Sequence, residues 1–335
     1  MRFQFYTDEI ANLPKLSVDG TVGNAIHFSH WQDNETPEEV KADTSTEIAL
    51  NLVTSPNREN LTQGIELVTN NHFDTDGMLS VWTVMTGERA AQYRDVLIAA
   101  AEAGDFSEYS TETGIRVSIA IQGSDQASPN NDDGSPLARR IAGAEVDDDA
   151  RAYELVMPEV ERLITNINDY EDLWRDGWES IAKAVESFES GASKVTELPE
   201  SQISLITLAP EIFSGSGFNP TRHAAPYTAV SRYARGMLYV IAISAGGGWF
   251  YRIDYPYYSW AETIVRPTVH RRDFTDALRR LNDTERNAGS WQLDNREMTS
   301  AVKFLDETGS LAASSYSPDE IANIIATESL QRAHA

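Results

Sequence analysis

The sequence predicts an α/β protein: an N-terminal, mostly parallel sheet with helices, then a helical connector, then a C-terminal α+β part with antiparallel strands. Three observations carry this expectation. Short apolar runs alternate with stretches of helical periodicity in the first part of the chain. An unbroken helical pattern covers 147–189. Beyond Leu198-Pro199-Glu200 the texture changes to strand-like runs, two of them flanking a glycine turn. The corresponding regions are 1–145, a candidate metal-binding domain, 146–195, the connector, and 196–335.

In chain order, Leu16 to Gly20 and Ala25 to Trp31 read as strands, being apolar and bounded by turn signals. Thr46 to Val53 reads as a helix with Asp43-Thr44-Ser45 ahead of it as a cap. Ile65 to Thr69 is a strand, Met78 to Met85 a buried helix, and Glu88 to Ala103 a second helix closed by Gly104-Asp105-Phe106. Ile115 to Ile121 fits a strand or a buried helix, and 123–134 is a loop by composition. Within 147–189 the apolar and aromatic positions, Trp174 and Trp178 among them, recur at helical spacing and suit a core. Strands are expected at 203–208, 237–244 and 249–255, with helices at 274–282 and 318–326.

Composition narrows the chemistry. The chain of 335 residues has 52 acidic against 27 basic side chains, a net charge of −25, and no cysteine. Thiolate nucleophiles, disulfides and zinc–sulfur sites are therefore excluded, and any metal must be held by oxygen and imidazole. So negative a field repels phosphate backbones, so nucleic acid is not an expected partner beyond a short oligomer or mononucleotide. No signal peptide or membrane-length apolar run is read, and the expected location is cytoplasmic.

The stretch Asn71-His72-Phe73-Asp74-Thr75-Asp76-Gly77 carries most functional information. Residues two apart in an extended segment share a face, so His72, Asp74 and Asp76 are expected to converge on a cation. Gly77 lets the chain turn into the following helix, whose N-terminal amides favour a phosphate. A calcium loop is excluded because its twelfth position, counted from His72, is Thr83.

His72 to Ser80 resembles the first motif of the DHH phosphoesterase superfamily, a strand ending in His-x-Asp-x-Asp-Gly-x-x-Ser. The resemblance implies manganese or magnesium on His72, Asp74 and Asp76 and hydrolysis of a phosphate ester or anhydride in a small molecule or nucleotide. Asp105 is a candidate further ligand. The superfamily's Asp-His-His triplet does not occur in the chain. Asp74 to Leu79 also resembles the haloacid-dehalogenase-like phosphatase pattern, which would make Asp74 a nucleophile and Asp76 an acid and base; Asn70-Asn71-His72 is polar where that family has an apolar strand. A non-catalytic nucleotide- or metal-binding protein, and an Asp-rich turn that merely caps a helix, are the alternatives. As a whole the chain resembles a family of uncharacterised bacterial proteins with Ser29-His30-Trp31, the His72 segment and Tyr258-Ser259-Trp260 as landmarks.

His30, at a strand end, is a candidate proton donor beside His72. Arg266, Arg271 and Arg272 form the one concentrated basic patch and are candidates to grip a small anionic substrate, with salt bridges to neighbouring acids as the alternative. Gly246-Gly247-Gly248 resembles a glycine-rich substrate loop of some DHH enzymes, but Trp249 follows where a histidine belongs, so a turn is expected.

Overall fold

The computed structural model describes residues 1–124, 134–212, 219–294 and 299–329. It contains two compact units, Met1–Trp178 with Trp260–Thr268, and Glu179–Ser259 with Val269–Ala335.

The first unit is built on strands β1 (Arg2–Phe3), β2 (Lys15–Val18), β3 (Ala25–Phe28) and β4 (Leu67–Thr69). They form a four-stranded sheet in the order β1-β4-β2-β3, every pairing parallel. Parallel neighbours require crossover connections, and both faces of such a sheet become apolar. Leu16, Val18 and Val68 are accordingly fully buried, at roughly 1.5–3 kcal/mol of transfer free energy each.

The helices of this unit are α1 (Ser45–Thr54), α2 (Arg58–Leu61), α3 (Thr75–Thr86), α4 (Arg94–Asp105), α5 (Glu112–Gln122), α6 (Pro136–Ala142), α7 (Asp149–Val156), α8 (Val160–Thr165) and the start of α9 (Glu171–Glu189). Helix α3 is buried on every side from Thr75 to Val84, as a helix without a polar face must be. The ambiguous 115–121 run is helix α5, and most of the expected loop 123–134 lies outside the described residues. Residues 146–178, expected within a connector, pack in this unit.

The second unit holds β5 (Lys194–Leu198), β6 (Ile203–Leu208), β7 (Leu238–Ala245), β8 (Gly248–Asp254), β9 (Ser290–Leu293) and β10 (Ser300–Leu305), ordered β5-β6-β7-β8-β10-β9. Its helices are α10 (Pro220–Ala224), α11 (Tyr227–Ser231), α12 (Thr275–Thr284) and α13 (Pro318–Ser329). The sheet is mostly antiparallel, with one exception: β6 and β7 run parallel because α10 and α11 lie in the connection between them. The β7–β8 hairpin turns at Gly246 and Gly247, both at positive φ. Tyr251, Ile253, Phe304 and Ile321 centre the core between sheet and helices. Among the described residues no helix is long and apolar enough to cross a membrane.

Candidate metal centre

The C-terminal ends of three adjacent parallel strands deliver the acidic residues. Asp19 follows β2, His30 lies two residues beyond β3, and the segment after β4 carries His72 and Asp74 before entering α3. Ligand sites of open α/β sheets form at this edge because loops diverge there. Asn70 ties two of the ends together: its Oδ1 accepts from the Gly20 and Asn71 amides, and its Nδ2 donates to Tyr153 Oη. Asp19 has φ 65°, a left-handed backbone that Asp and Asn tolerate better than other side chains.

His72, Asp74 and Asp76 do not converge on one point. They divide between two groups that share Asp19: Asp19 with His30 and Asp76, and Asp19 with His72 and Asp74. The ligand atoms in each group lie within 4.8 Å of one another. The division follows from Asp76 standing in the first turn of α3, where it points away from the extended residues before it. Asp105, at the end of α4, stands outside both groups but touches the first, its Oδ2 lying 3.0 Å from His30 Nε2. A carboxylate at a helix C-terminus opposes the helix dipole, so the helix itself gives no reason for an aspartate there.

Two helix N-termini face the cluster. Asp76 accepts the Ser45 and Thr46 amides at the start of α1, at 2.7 and 2.6 Å, while Ser45 Oγ donates to Asp19 Oδ1. Asp74 caps α3 through one oxygen, taking the Gly77 amide at 2.7 Å, and its other oxygen lies 3.2 Å from His72 Nε2. Capping is thus real for Asp74 but occupies half of the carboxylate. Thr44, expected as a cap, does accept the Glu47 amide. Gly77 is required by close approach: a Cβ there would lie 2.4 Å from Asn70 Nδ2 and 3.0 Å from Asp19 Oδ2.

The histidine geometry is informative. His30 Nδ1 lies 2.6 Å from the Asp43 carbonyl, an acceptor only, so Nδ1 must carry the proton. In the neutral ring the Nε2 lone pair then faces Asp19, Asp76 and Asp105 at 3.7, 3.8 and 3.0 Å. A backbone carbonyl fixing the tautomer of a ligating imidazole is the usual outer-shell arrangement at metal sites. His30 Nε2 and Asp105 Oδ2 face each other at 3.0 Å, and Asp19 Oδ2 lies 2.9 Å from His72 Nε2, contacts that are ion pairs when the imidazoles are protonated. His72 Nδ1 meets Asn71 Oδ1, leaving Nε2 toward Asp19 and Asp74.

The electrostatics without an ion are severe. Burial would lower the His30 pKa, but Asp105, Asp76 and Asp19 outweigh it and push it up to about 10. Burial is likewise outweighed at His72 by Asp74 and Asp19, which push its pKa up to about 12. Burial, with the neighbouring Asp19 charge, drives the Asp76 carboxyl well above the usual range, and burial raises Asp105 to about 6 against the pull of His30. At Asp19, burial is overcome by the two histidines, which hold its pKa low. Among the described residues no lysine or arginine forms an ion pair with any of the four aspartates.

His30 is therefore not placed as a solvent-facing proton donor. It is buried against Phe106 and the edge of Trp260, with its polar atoms committed to Asp43 and the carboxylates. The arginine patch also differs from expectation. Arg266 reaches Asp43, Glu102 and Glu108 at 2.7, 2.8 and 2.6 Å and stacks on Phe106, so it has no donor face left for a substrate. Arg271 and Arg272 belong to the second unit: Arg271 lies over Tyr255, and Arg272 donates to the Ser201 carbonyl and Ser329 Oγ.

Sequence reasoning missed Asp19, read Asp43 only as part of a helix cap, and did not bring the segment Trp260–Thr268 to this site. That segment returns from the far half of the chain as a strap. Asp43 accepts the amides of Ile264, Val265 and Arg266, and the Glu262 amide donates to the His30 carbonyl at 2.7 Å.

A donor set of carboxylates and imidazoles suits Mn²⁺ or Mg²⁺, with Mn²⁺ the better match for two histidines. Comparison with curated proteins and with solved structures finds no match. The family model for DUF6687, a family of unknown function, matches residues 1–330, and the chain belongs to that family.

Proposed function

We propose that the chain is a metal-dependent phosphoesterase of DHH-like type, acting on a phosphate ester or anhydride of a small molecule or nucleotide. The observation that carries this reading is the pair of acid–imidazole groups, Asp19 with His30 and Asp76 and Asp19 with His72 and Asp74, each with its ligand atoms within 4.8 Å of one another. Gathering these carboxylates out of water costs several kcal/mol, which a bound cation would offset. His30, Asp76, Asp105 and the shared Asp19 would hold one ion, and His72, Asp74 and Asp19 a second. Bound divalent ions would supply Lewis acidity toward the phosphate and an activated water.

The chain's own residues then have defined roles. Asp43 holds His30 in the tautomer that offers Nε2, and the α1 amides hold Asp76 ionised and oriented. Gly77 keeps α3 close enough for Asp19 to serve both groups. The haloacid-dehalogenase-like reading is disfavoured by Asp76, which is fully buried with both oxygens on backbone amides and so is badly placed to exchange protons with a substrate.

The test is metal analysis of the purified chain, together with hydrolysis of bis(p-nitrophenyl) phosphate and p-nitrophenyl phosphate in Mn²⁺. Stoichiometric metal and turnover, both lost in Asp76→Asn, are expected. Metal binding with no turnover of any phosphate ester would leave a non-catalytic binding protein; no metal binding would sink both.

A further inference from the structure

We infer that Trp31 and Trp260 form a stacking corner for a planar ring attached to the phosphate, so that the substrate class is a nucleoside monophosphate or similar single-phosphate ester of a ring-bearing alcohol. This rests on the phosphate-binding reading of the metal centre and adds the part of the substrate which that centre does not touch.

The two ligand groups differ in access. The side chains of His30 and Asp76 are 0% exposed and Asp105 9%, whereas His72 and Asp74 are 28% and 27% exposed. A substrate must therefore approach from the His72 side. Trp31 stands there, its ring centroid 5.3 Å from that of His72 at an interplanar angle of 41°. Trp260 meets Trp31 perpendicularly at 6.2 Å and presents its edge to His30 at 5.1 Å. The two indoles are thus adjoining walls beside the open group.

Neither indole is buried, and among the described residues neither N–H has a hydrogen-bond partner. Trp174 and Trp291, by contrast, donate to the Ile167 carbonyl and to Glu285. A large half-buried ring with an unused donor is what a ligand-facing tryptophan looks like. The backbone at Trp31 is also hydrogen-bonded on both sides, which lowers the entropic cost of binding. The Trp31 amide bonds Ser29 Oγ and its carbonyl accepts from Asn34, while Glu262 of the strap takes Asn34 and Lys41. Further phosphates are not provided for, since among the described residues no lysine or arginine pairs with the cluster and the chain carries a net charge of −25.

The test is isothermal titration in 1 mM Mn²⁺ with adenosine 5′-monophosphate and with ribose 5-phosphate, which share the phosphate and sugar but not the ring. The nucleotide should bind about 5- to 150-fold more tightly. Trp31→Leu should reduce that ratio to about one, and Trp31→Phe should retain it within about threefold; retention of the Mn²⁺ thermal shift shows the variants are folded. Equal affinity of the wild type for the two ligands, or a ratio untouched by Trp31→Leu, overturns the stacking corner while leaving the phosphate site standing. Failure of both ligands to bind, with metal bound, overturns the phosphate reading and the corner with it.

Discussion

Asp19→Asn is the most discriminating single change, because Asp19 is the one side chain common to both ligand groups. Asparagine has nearly the same shape and tolerates the left-handed backbone at φ 65°, so the substitution removes charge with little strain. Ser45 Oγ can still donate to the remaining side-chain oxygen. An ion present at a hundred times its dissociation constant stabilises the folded state by about 2.7 kcal/mol. The first unit has about 190 residues, for which 1 kcal/mol moves Tm by roughly 2–4 °C. Wild type should therefore gain about 5–11 °C on adding saturating Mn²⁺ to chelator-treated protein, measured by differential scanning fluorimetry or calorimetry. Asp19→Asn should keep less than about 2 °C of that shift. Without metal the variant should lose only about 1–2 kcal/mol, since Asp74 and Asp105 still face the two imidazoles. A variant that keeps the full Mn²⁺ shift would show that ions, if bound, are bound elsewhere. A wild type unmoved by Mn²⁺, Mg²⁺ and Zn²⁺ would refute the reasoning at its root.

Other outcomes follow from the same geometry. Arg266→Ala should cost about 3–5 kcal/mol in urea denaturation, because Asp43, Glu102 and Glu108 lose a half-buried common partner; Arg271→Ala, which gives up a cation–π contact at an exposed position, should cost about 0.5–1 kcal/mol. Gly77→Ala should destabilise by about 1–3 kcal/mol although alanine is the better helix former by about 1 kcal/mol, because the new Cβ meets Asn70 Nδ2 at 2.4 Å; a stabilised variant would show that Asn70 and Asp19 can give way. In metal-free protein His30 and His72 have folded pKa values raised to about 10 and about 12, above the usual 6.5, so their contribution to stability is complete below about pH 6.5 and is lost as pH rises through 10 and then 12. Metal must displace those protons, so Mn²⁺ affinity should rise with pH by up to tenfold per unit per proton released near neutrality; titrations in buffers of different ionisation enthalpy would count the protons, and a pH-independent affinity would exclude the two imidazoles as ligands.

What could be read from sequence was whatever is local. The α/β character followed from periodicity, and the helix after Gly77 and the hairpin at Gly246–Gly248 from residue type alone. His72, Asp74 and Asp76 stood out because they sit within five residues. Asp19 did not, because Asp-Gly at the end of an apolar run reads equally well as a turn; its ligand character depends on β2 lying between β3 and β4, which is a property of strand order. The surroundings of His30 were out of reach for the same reason, since its tautomer is set by a carbonyl at residue 43 and its other neighbours are residues 76 and 105. Arg266 read as a cation available to substrate because its three acidic partners lie more than 150 residues away in the chain. The parallel β6–β7 pair was hidden by the long connection between them. Strand β5 was missed because its Lys194, Thr196 and Glu197 are exposed and polar.

The charge balance of the cluster argues for something more than a structural role. Four aspartates and two histidines meet at one sheet edge with no arginine or lysine among their ion-pair partners in the described residues. A protein selected only for stability does better with apolar residues of the same volume, since buried ionic clusters rarely recover their desolvation cost. With both imidazoles neutral, four carboxylates would be balanced by two divalent cations; with no cation, neutrality requires both histidines and two of the aspartates protonated, a state in which Asp76 is pushed up while it accepts two backbone amides that favour its ionised form. A cation would relieve that conflict inside one carboxyl group, and among the described residues no lysine or arginine pairs with Asp76. The missing Asp-His-His triplet does not weaken the case, because ligand geometry constrains positions in space, and here Asp19, His30 and Asp76 come within 4.8 Å of one another from the ends of β2 and β3 and the start of α3.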